Sequence, residues 1–249
     1  MLLKACLNGP RRPPEHPALP VTAAALAADV VAVTAAGADA VHLHVKDPEG
    51  GDTLAGAPLA EVLGAVRAAA PGVPVGVTTG AWALPDPQQR VAAIRAWTLL
   101  PDFASVNWHE DGAAEVAEAL LARGVGVEAG LWHAEAVGAW CASPLRERCC
   151  RVLLELPDGL DATETRTEAD RLLDLLADGV AGTAAAGVEV LLHGEGSSCW
   201  PALRYAAHRR LATRIGLEDV LELPDGTPAP SNAALVAVGR RLVSEHSLR

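Results

Sequence analysis

Half of the 249 residues are hydrophobic, enough for a sizeable core, while aromatics at 3% and abundant alanine suit close-packed helices better than an all-β sandwich. The formal net charge of −11 argues against nucleic acid or an anionic membrane as the main partner, although a local basic patch can still meet a phosphorylated cofactor. No run approaches the roughly 20 apolar residues that span a bilayer, and "MLLKACLNGPRRPP" reaches glycine and proline too early for a secretory signal, so a soluble cytoplasmic protein is expected.

Short apolar runs alternate with alanine-rich segments of helical spacing. A strand is expected over Leu3–Leu7, a helix over Thr22–Ala36, a strand over Ala40–His44 and a helix over Leu59–Ala70. The pattern repeats with strand Val73–Val77, helix Pro87–Leu99, strand Phe103–Val106 and helix Ala113–Ala122. It continues with strand Gly126–Glu128, helix Ala134–Cys141, strand Val152–Leu156 and helix Glu164–Ala186. Strand Val188–Leu192, helix Pro201–Arg210, strand Thr213–Ile215 and helix Asn232–Ser244 complete it, the last with Ser231 or Asn232 as N-cap. Several helices end in glycine before the next strand, as in "AAGADAVHL", "ARGVGVEA" and "AAGVEVLL".

Eight strand–helix units point to an α/β fold, a (β/α)₈ barrel forming a single domain over residues 1–249. The alternative is an open doubly wound sheet, whose usual G-x-G-x-x-G turn after the first strand is absent. Cys6, Cys141, Cys149, Cys150 and Cys199 form no C-x-x-C pair and read as reduced thiols.

In such a barrel the active site lies at the C-terminal strand ends. The polar residues there are Asn8, His42, His44, Thr78, Thr79, Ser105, Asn107, Glu128, His193, Glu195, Arg214, Glu218 and Asp219. In "DAVHLHVKD", His42 and His44 fall on one face, roughly 7 Å apart. They are either two satisfied barrel histidines or two ligands of one cation. Two imidazoles and one carboxylate with an open position make a catalytic metal site. Glu218 in "TRIGLEDV" is well placed as the third ligand, because strand eight adjoins strand one, itself beside strand two. The plainer readings are a core or loop histidine for His193, a capped turn for Thr78-Thr79-Gly80, and a solvated pair for Glu218-Asp219.

Taken together, "NGPRRPPEHPALPVT", "GADAVHLHVKD", "GVTTGAW", "PDFASVNW", "GVGVEAGLWH", "TRIGLEDV" and "SNAALV" resemble the β-keto acid cleavage enzymes, of the 3-keto-5-aminohexanoate cleavage type. The resemblance runs nearly the whole length. It implies a metal-dependent (β/α)₈ barrel in which a β-keto acid and acetyl-CoA become acetoacetate and a new acyl-CoA. It implies that His42, His44 and Glu218 hold zinc or another divalent first-row metal, and that Asp219 is the general base, held by Arg214. Thr78 or Thr79, with Ser105 and Asn107, would grip the substrate, and Glu128 would be a further polar contact near the reacting carbons. Arg11 and Arg12 at the mouth hint at an acidic or polar substrate tail. Either they or Arg209 and Arg210 would meet the phosphates of CoA. A homo-oligomer, dimer or tetramer, is also implied.

The chain departs from the family pattern at Lys46, Gly130, His133 and Val220, in "LLHGEGSSCW" with its His193 and Glu195, and in being shorter. None of these removes a proposed ligand or Asp219. A metal-dependent aldolase or hydrolase without CoA, and an inactive barrel that only binds a metal or metabolite, are the other readings.

Overall fold

Each expected strand is a short apolar run whose backbone groups need partners, and in the structure they find them in one another. The structure is a computed structural model and describes residues 1–247. Its first half contains β1 (Leu3–Cys6), α1 (Ala23–Ala35), β2 (Ala40–Leu43), α2 (Gly56–Ala69), β3 (Val75–Thr78), α3 (Pro87–Ala96), β4 (Phe103–Asn107) and α4 (Ala113–Ala122). The second half contains β5 (Gly126–Leu131), α5 (Ala134–Ala142), β6 (Arg151–Leu156), α6 (Ala162–Val180), β7 (Glu189–Gly194), α7 (Cys199–Arg209), β8 (Thr213–Ile215) and α8 (Asn232–Ser247).

All eight strands are parallel and run in the order β7-β6-β5-β4-β3-β2-β1-β8. A parallel bridge between Leu191 and Ala212 joins β7 to β8 and closes the ring. The expected (β/α)₈ barrel is the observed fold. The main core lies between the barrel wall and the helices, where α1 buries Leu26, Val30 and Val33 and α2 buries Leu59, Val62, Leu63 and Val66.

Register decides which residues face the barrel interior. Cys6 pairs with His42, His42 with Gly76, Thr78 with Ser105, Ser105 with Glu128, and Glu128 with Arg151. Side chains alternate, so these residues share the inner face. Gly76 is required there: a Cβ would lie 1.9 Å from the Phe103 ring.

Most boundaries shift by one to three residues from expectation, and four shifts bear on the site or the core. Strand β2 stops at Leu43 because the Asn8 side chain takes over the pairing of His44, accepting its N–H at 2.8 Å and donating to its C=O at 2.9 Å. Helix α3 stops at Ala96 because Trp97 turns into the core and its indole donates to Leu54 O at 2.9 Å. Helix α6 stops at Val180, short of Ala186, before Gly182 at φ +73° and a 3₁₀ turn over Ala184–Gly187. Strand β5 runs three residues past Glu128, to Leu131.

Asn232, fully buried at the start of α8, joins distant segments. It donates to Leu7 O at 2.8 Å and to the Asp29 carboxylate at 2.7 Å, and accepts from Leu217 N–H at 2.7 Å. Burial pushes the Asp29 pKa up from 3.8 to about 6, against the lowering effect of the Asn232 bond. Between those values the folded chain keeps a proton that the unfolded chain releases, so stability falls as pH rises through that window. Asp29→Asn is expected to stabilise the protein at pH 7 by ~1–2 kcal/mol, discounted from ~1.4 kcal/mol per pKa unit because the group is only partly buried. Urea denaturation at pH 7 and again below pH 4, where the gain should vanish, checks this.

Candidate active site

A cavity of about 380 Å³ opens at the C-terminal ends of the strands. Its lining includes His42 and His44 from β2 and its end, Thr78 from β3, and Ser105 and Asn107 from β4. Glu155 from β6, Glu195 after β7, and Arg214 and Glu218 from β8 and the loop after it complete the polar wall.

His42 Nε2 and His44 Nε2 lie 4.0 and 3.9 Å from the same oxygen, Glu218 Oε2. One ligand atom from each of the three residues falls within 4.8 Å of the other two. Glu218 Oε2 is buried without a hydrogen-bond partner among the described residues, an arrangement that is costly unless a cation or proton donor meets it. Burial, reinforced by His44, Lys4 and Arg214, holds the His42 pKa well below its usual value, so this imidazole is neutral, as a ligand must be. Two nitrogens and a carboxylate oxygen are a donor set suited to a divalent first-row ion, which these three residues would hold beside the cavity.

His44 is oriented from behind. Its Nδ1 lies 2.7 Å from Asp52 Oδ2, which leaves Nε2 for the shared point. Asp52 also accepts from Lys46 Nζ at 2.5 Å and from the Trp82 indole at 2.7 Å, and Trp82 stacks near the His44 ring at 5.9 Å between centroids. Burial opposes ionisation of Asp52, but the His44 and Lys46 contacts outweigh it and hold the pKa down at about 2. A carboxylate behind a ligating histidine fixes its tautomer and ring orientation. His42 has no such partner, since its Nδ1 is buried and unpaired among the described residues.

Beside this triplet, Arg214 donates to Asp219 Oδ1 from Nε at 3.0 Å and from Nη2 at 2.7 Å. The same Nη2 lies 3.1 Å from Glu218 Oε1 and 3.9 Å from Glu155 Oε2. Asp219 is 1% exposed and its Oδ2 has no partner among the described residues. Burial pushes its pKa up to about 8, helped by Glu218 and Glu195 and opposed by Arg214. Glu195 is pushed up to about 7 by burial and by Glu155. His193, behind the wall, has Nε2 3.3 Å from Glu155 Oε2 and is held neutral by burial and by Arg214 and Lys4.

Of the residues singled out from sequence, the cavity brings together His42, His44, Thr78, Ser105, Asn107, Glu195, Arg214 and Glu218, with Asp219 directly behind Arg214. Others take other positions. Glu128 lies below the cavity, fully buried, where it accepts from Lys4 Nζ at 2.5 Å and pairs with Arg151. It closes an internal ion cluster and is not among the residues lining the cavity. Thr79 has the opposite strand parity from Thr78 and donates its hydroxyl to Ser105 O at 2.7 Å. Arg11 lies in a neighbouring groove, donating to Leu217 O at 2.6 Å and pairing with Glu15 at 3.2 Å.

Arg209 and Arg210 close α7 just before β8 begins, at the barrel end opposite the cavity, and Arg209 is paired with Asp170 at 2.6 Å. That position is remote from the cavity. Sequence reading missed Asp52, Glu155, Trp82 and Trp132. Glu155 had a usable signal, since it shares strand parity with Leu153 and Arg151 and so faces inward.

The profile of the family described as "BKACE: beta-keto acid cleavage enzyme" matches residues 1–249. No curated protein sequence matches the chain. Among solved structures, the binary complex of ObcA with oxaloacetate superposes with a TM-score of 0.74 at 16% identity, covering 93% of this chain and 64% of that one. The ternary complex of ObcA with a C4-CoA adduct and oxalate gives 0.72 at 16% identity, covering 93% and 65%. The dihydrodipicolinate synthase Atu0899 from Agrobacterium tumefaciens str. C58 gives 0.55 at 17% identity, covering 97% and 79%. At these identities the likeness is one of fold, and the chain spans a little under two thirds of the ObcA chains.

Proposed function

Because the chain belongs to the β-keto acid cleavage enzyme family, we propose that it is a metal-dependent acyltransferase acting on a β-keto acid and acetyl-CoA, giving acetoacetate and the CoA thioester of the remaining acyl group. The observation that carries this reading is the convergence of His42, His44 and Glu218 in the same cavity wall as Arg214, with Asp219 behind it. The description of ObcA with oxaloacetate, a β-keto acid, and with a C4-CoA adduct supports the same chemistry on this fold.

His42, His44 and Glu218 would hold the ion, with zinc the best match to the donor set. When bound, a divalent cation supplies Lewis-acid stabilisation for negative charge on a keto oxygen, a contribution of several kcal/mol. Thr78, Ser105 and Asn107 place donors and acceptors on the facing wall, where they would orient the substrate's carboxylate and ketone. Asp219 Oδ2 is the oxygen assigned the proton from the carbon flanked by two carbonyls. Its raised pKa makes it a stronger base than an exposed carboxylate. Arg214 anchors Asp219 by two hydrogen bonds and presents positive charge to the acidic substrate.

The test is incubation of the metal-loaded protein with acetyl-CoA and a panel of β-keto acids. Acetoacetate and a matching acyl-CoA should appear with at least one of them. Pyruvate-type products without consumption of acetyl-CoA would favour an aldolase instead. Asp52→Asn should weaken metal binding by about 10–100-fold with the fold retained, because His44 loses a charged orienting partner. Competition with a chromogenic chelator reads that loss directly.

A further inference from the structure

Three cavities lie beside one another, the first at the strand ends and the third on the outer face between α6 and α7. Pro10 and Glu195 line the catalytic cavity, while their chain neighbours Arg11 and Gly196 line a second groove of about 560 Å³, as does Val220, two residues beyond the cavity's Glu218. Pro201 lines that groove and also a third pocket, of about 370 Å³, between α6 and α7.

We infer that this path seats a coenzyme A thioester, with its acyl end in the catalytic cavity, its pantetheine arm in the groove, and its phosphorylated adenosine end in the pocket between α6 and α7. The inference rests on the acyl-CoA reading of the catalytic cavity. The chemistry changes along the path as such a molecule requires. The groove has an apolar flank of Trp200, Leu221, Leu223 and Pro224, suited to a flexible, mostly uncharged arm. Its own charges include Asp158 and Glu222, which disfavour phosphate within it.

In this fold, phosphates often settle at the helix start after strand seven. Here that place is taken. Asp158 Oδ1 accepts the Ser197 N–H at 2.7 Å and the Gly159 N–H at 2.8 Å. The next pocket is the basic one. Arg166 and Arg204 line it with His208 and Tyr205, and no carboxylate is among its lining residues. Neither arginine has a carboxylate oxygen within 4.0 Å among the described residues, although Arg166 helps hold down the pKa of Asp161 at the start of α6, in a chain whose net charge is −11. Arg166 and Arg204 lie one turn or so into helices that begin at the barrel mouth, so the pocket starts on the cavity's side of the barrel. Two guanidinium groups with no carboxylate in contact match the diphosphate and ribose phosphate, and the aromatic rings match the base.

Calorimetric titration of CoA and of adenosine 3′,5′-bisphosphate into the full-length protein tests this. The double variant Arg166→Glu/Arg204→Glu should bind both probes at least tenfold more weakly, with a flatter salt dependence. Arg210→Glu, a charge reversal on the far side of the barrel, should bind them as the wild type does. CoA affinity within twofold of wild type in the double variant would overturn the assigned path and leave the acyl-CoA reading standing. A wild-type protein that binds no CoA at millimolar concentration would overturn both. Thermal denaturation of each variant separates a lost site from a lost fold.

Discussion

His44→Ala is expected to abolish metal retention and turnover together. The substitution removes one of three protein ligands and breaks the line from Asp52 through the imidazole to the shared point near Glu218 Oε2. Two ligands on opposite sides of a gap hold a divalent ion far less well than three that converge. Activity should fall by about 10³-fold or more, since a Lewis acid worth several kcal/mol is lost and each 1.36 kcal/mol is tenfold in rate. Metal analysis of the purified variant, with circular dichroism to show an intact barrel, checks it. A variant that keeps a full complement of metal would remove His44 from the ligand set.

Asp219→Asn should separate the two functions. Asparagine keeps the volume and can still accept from Arg214, so the wall beside Glu218 stays in place and metal content is unchanged. What disappears is the ability of Oδ2 to take a proton, and turnover should drop by roughly 10²–10⁴-fold. Stability should change little near pH 7, because the buried carboxyl, with its pKa at about 8, is already largely protonated in the metal-free protein. Steady-state rates and metal analysis on one preparation decide the matter. A near-normal rate would overturn the assignment of Asp219 as base.

The barrel was legible because its signals are periodic. Eight apolar runs spaced by alanine-rich helices leave few other solutions, and the two-residue period of a strand is enough by itself to put His42 and His44 on one face. Glu218 was reachable by the same logic, since β8 lies beside β1 and β1 beside β2. Glu128 shows how narrow that logic is. Ending β5 at Glu128 places the residue at the rim, but the strand continues to Leu131, so the carboxylate sits a layer lower, paired with Lys4 and Arg151. An error of three residues in a strand end turns a core ion pair into an active-site contact.

Asp52 was out of reach for a different reason. It lies in "DPEGGDTLAG", an irregular loop with no period to read, and is brought back to the histidines by an isolated bridge between Lys46 and Asp52. Arg209 and Arg210 were singled out by charge without position. The rise of α7 carries them to the far end of the barrel.

Asn232 gives the site an order of assembly. During synthesis the two histidines emerge first, and the residue that ties Leu7 to Leu217, next to the third candidate ligand, follows His44 only 188 residues later. Until α8 docks, the loop bearing Glu218 lacks that tie to the end of β1. A nascent chain therefore carries two imidazoles with a loosely placed carboxylate, a weak trap for any ion it meets. Tight capture of an ion by these three residues would wait for the closed ring, so the choice of metal would be made by a folded protein and not by a growing one.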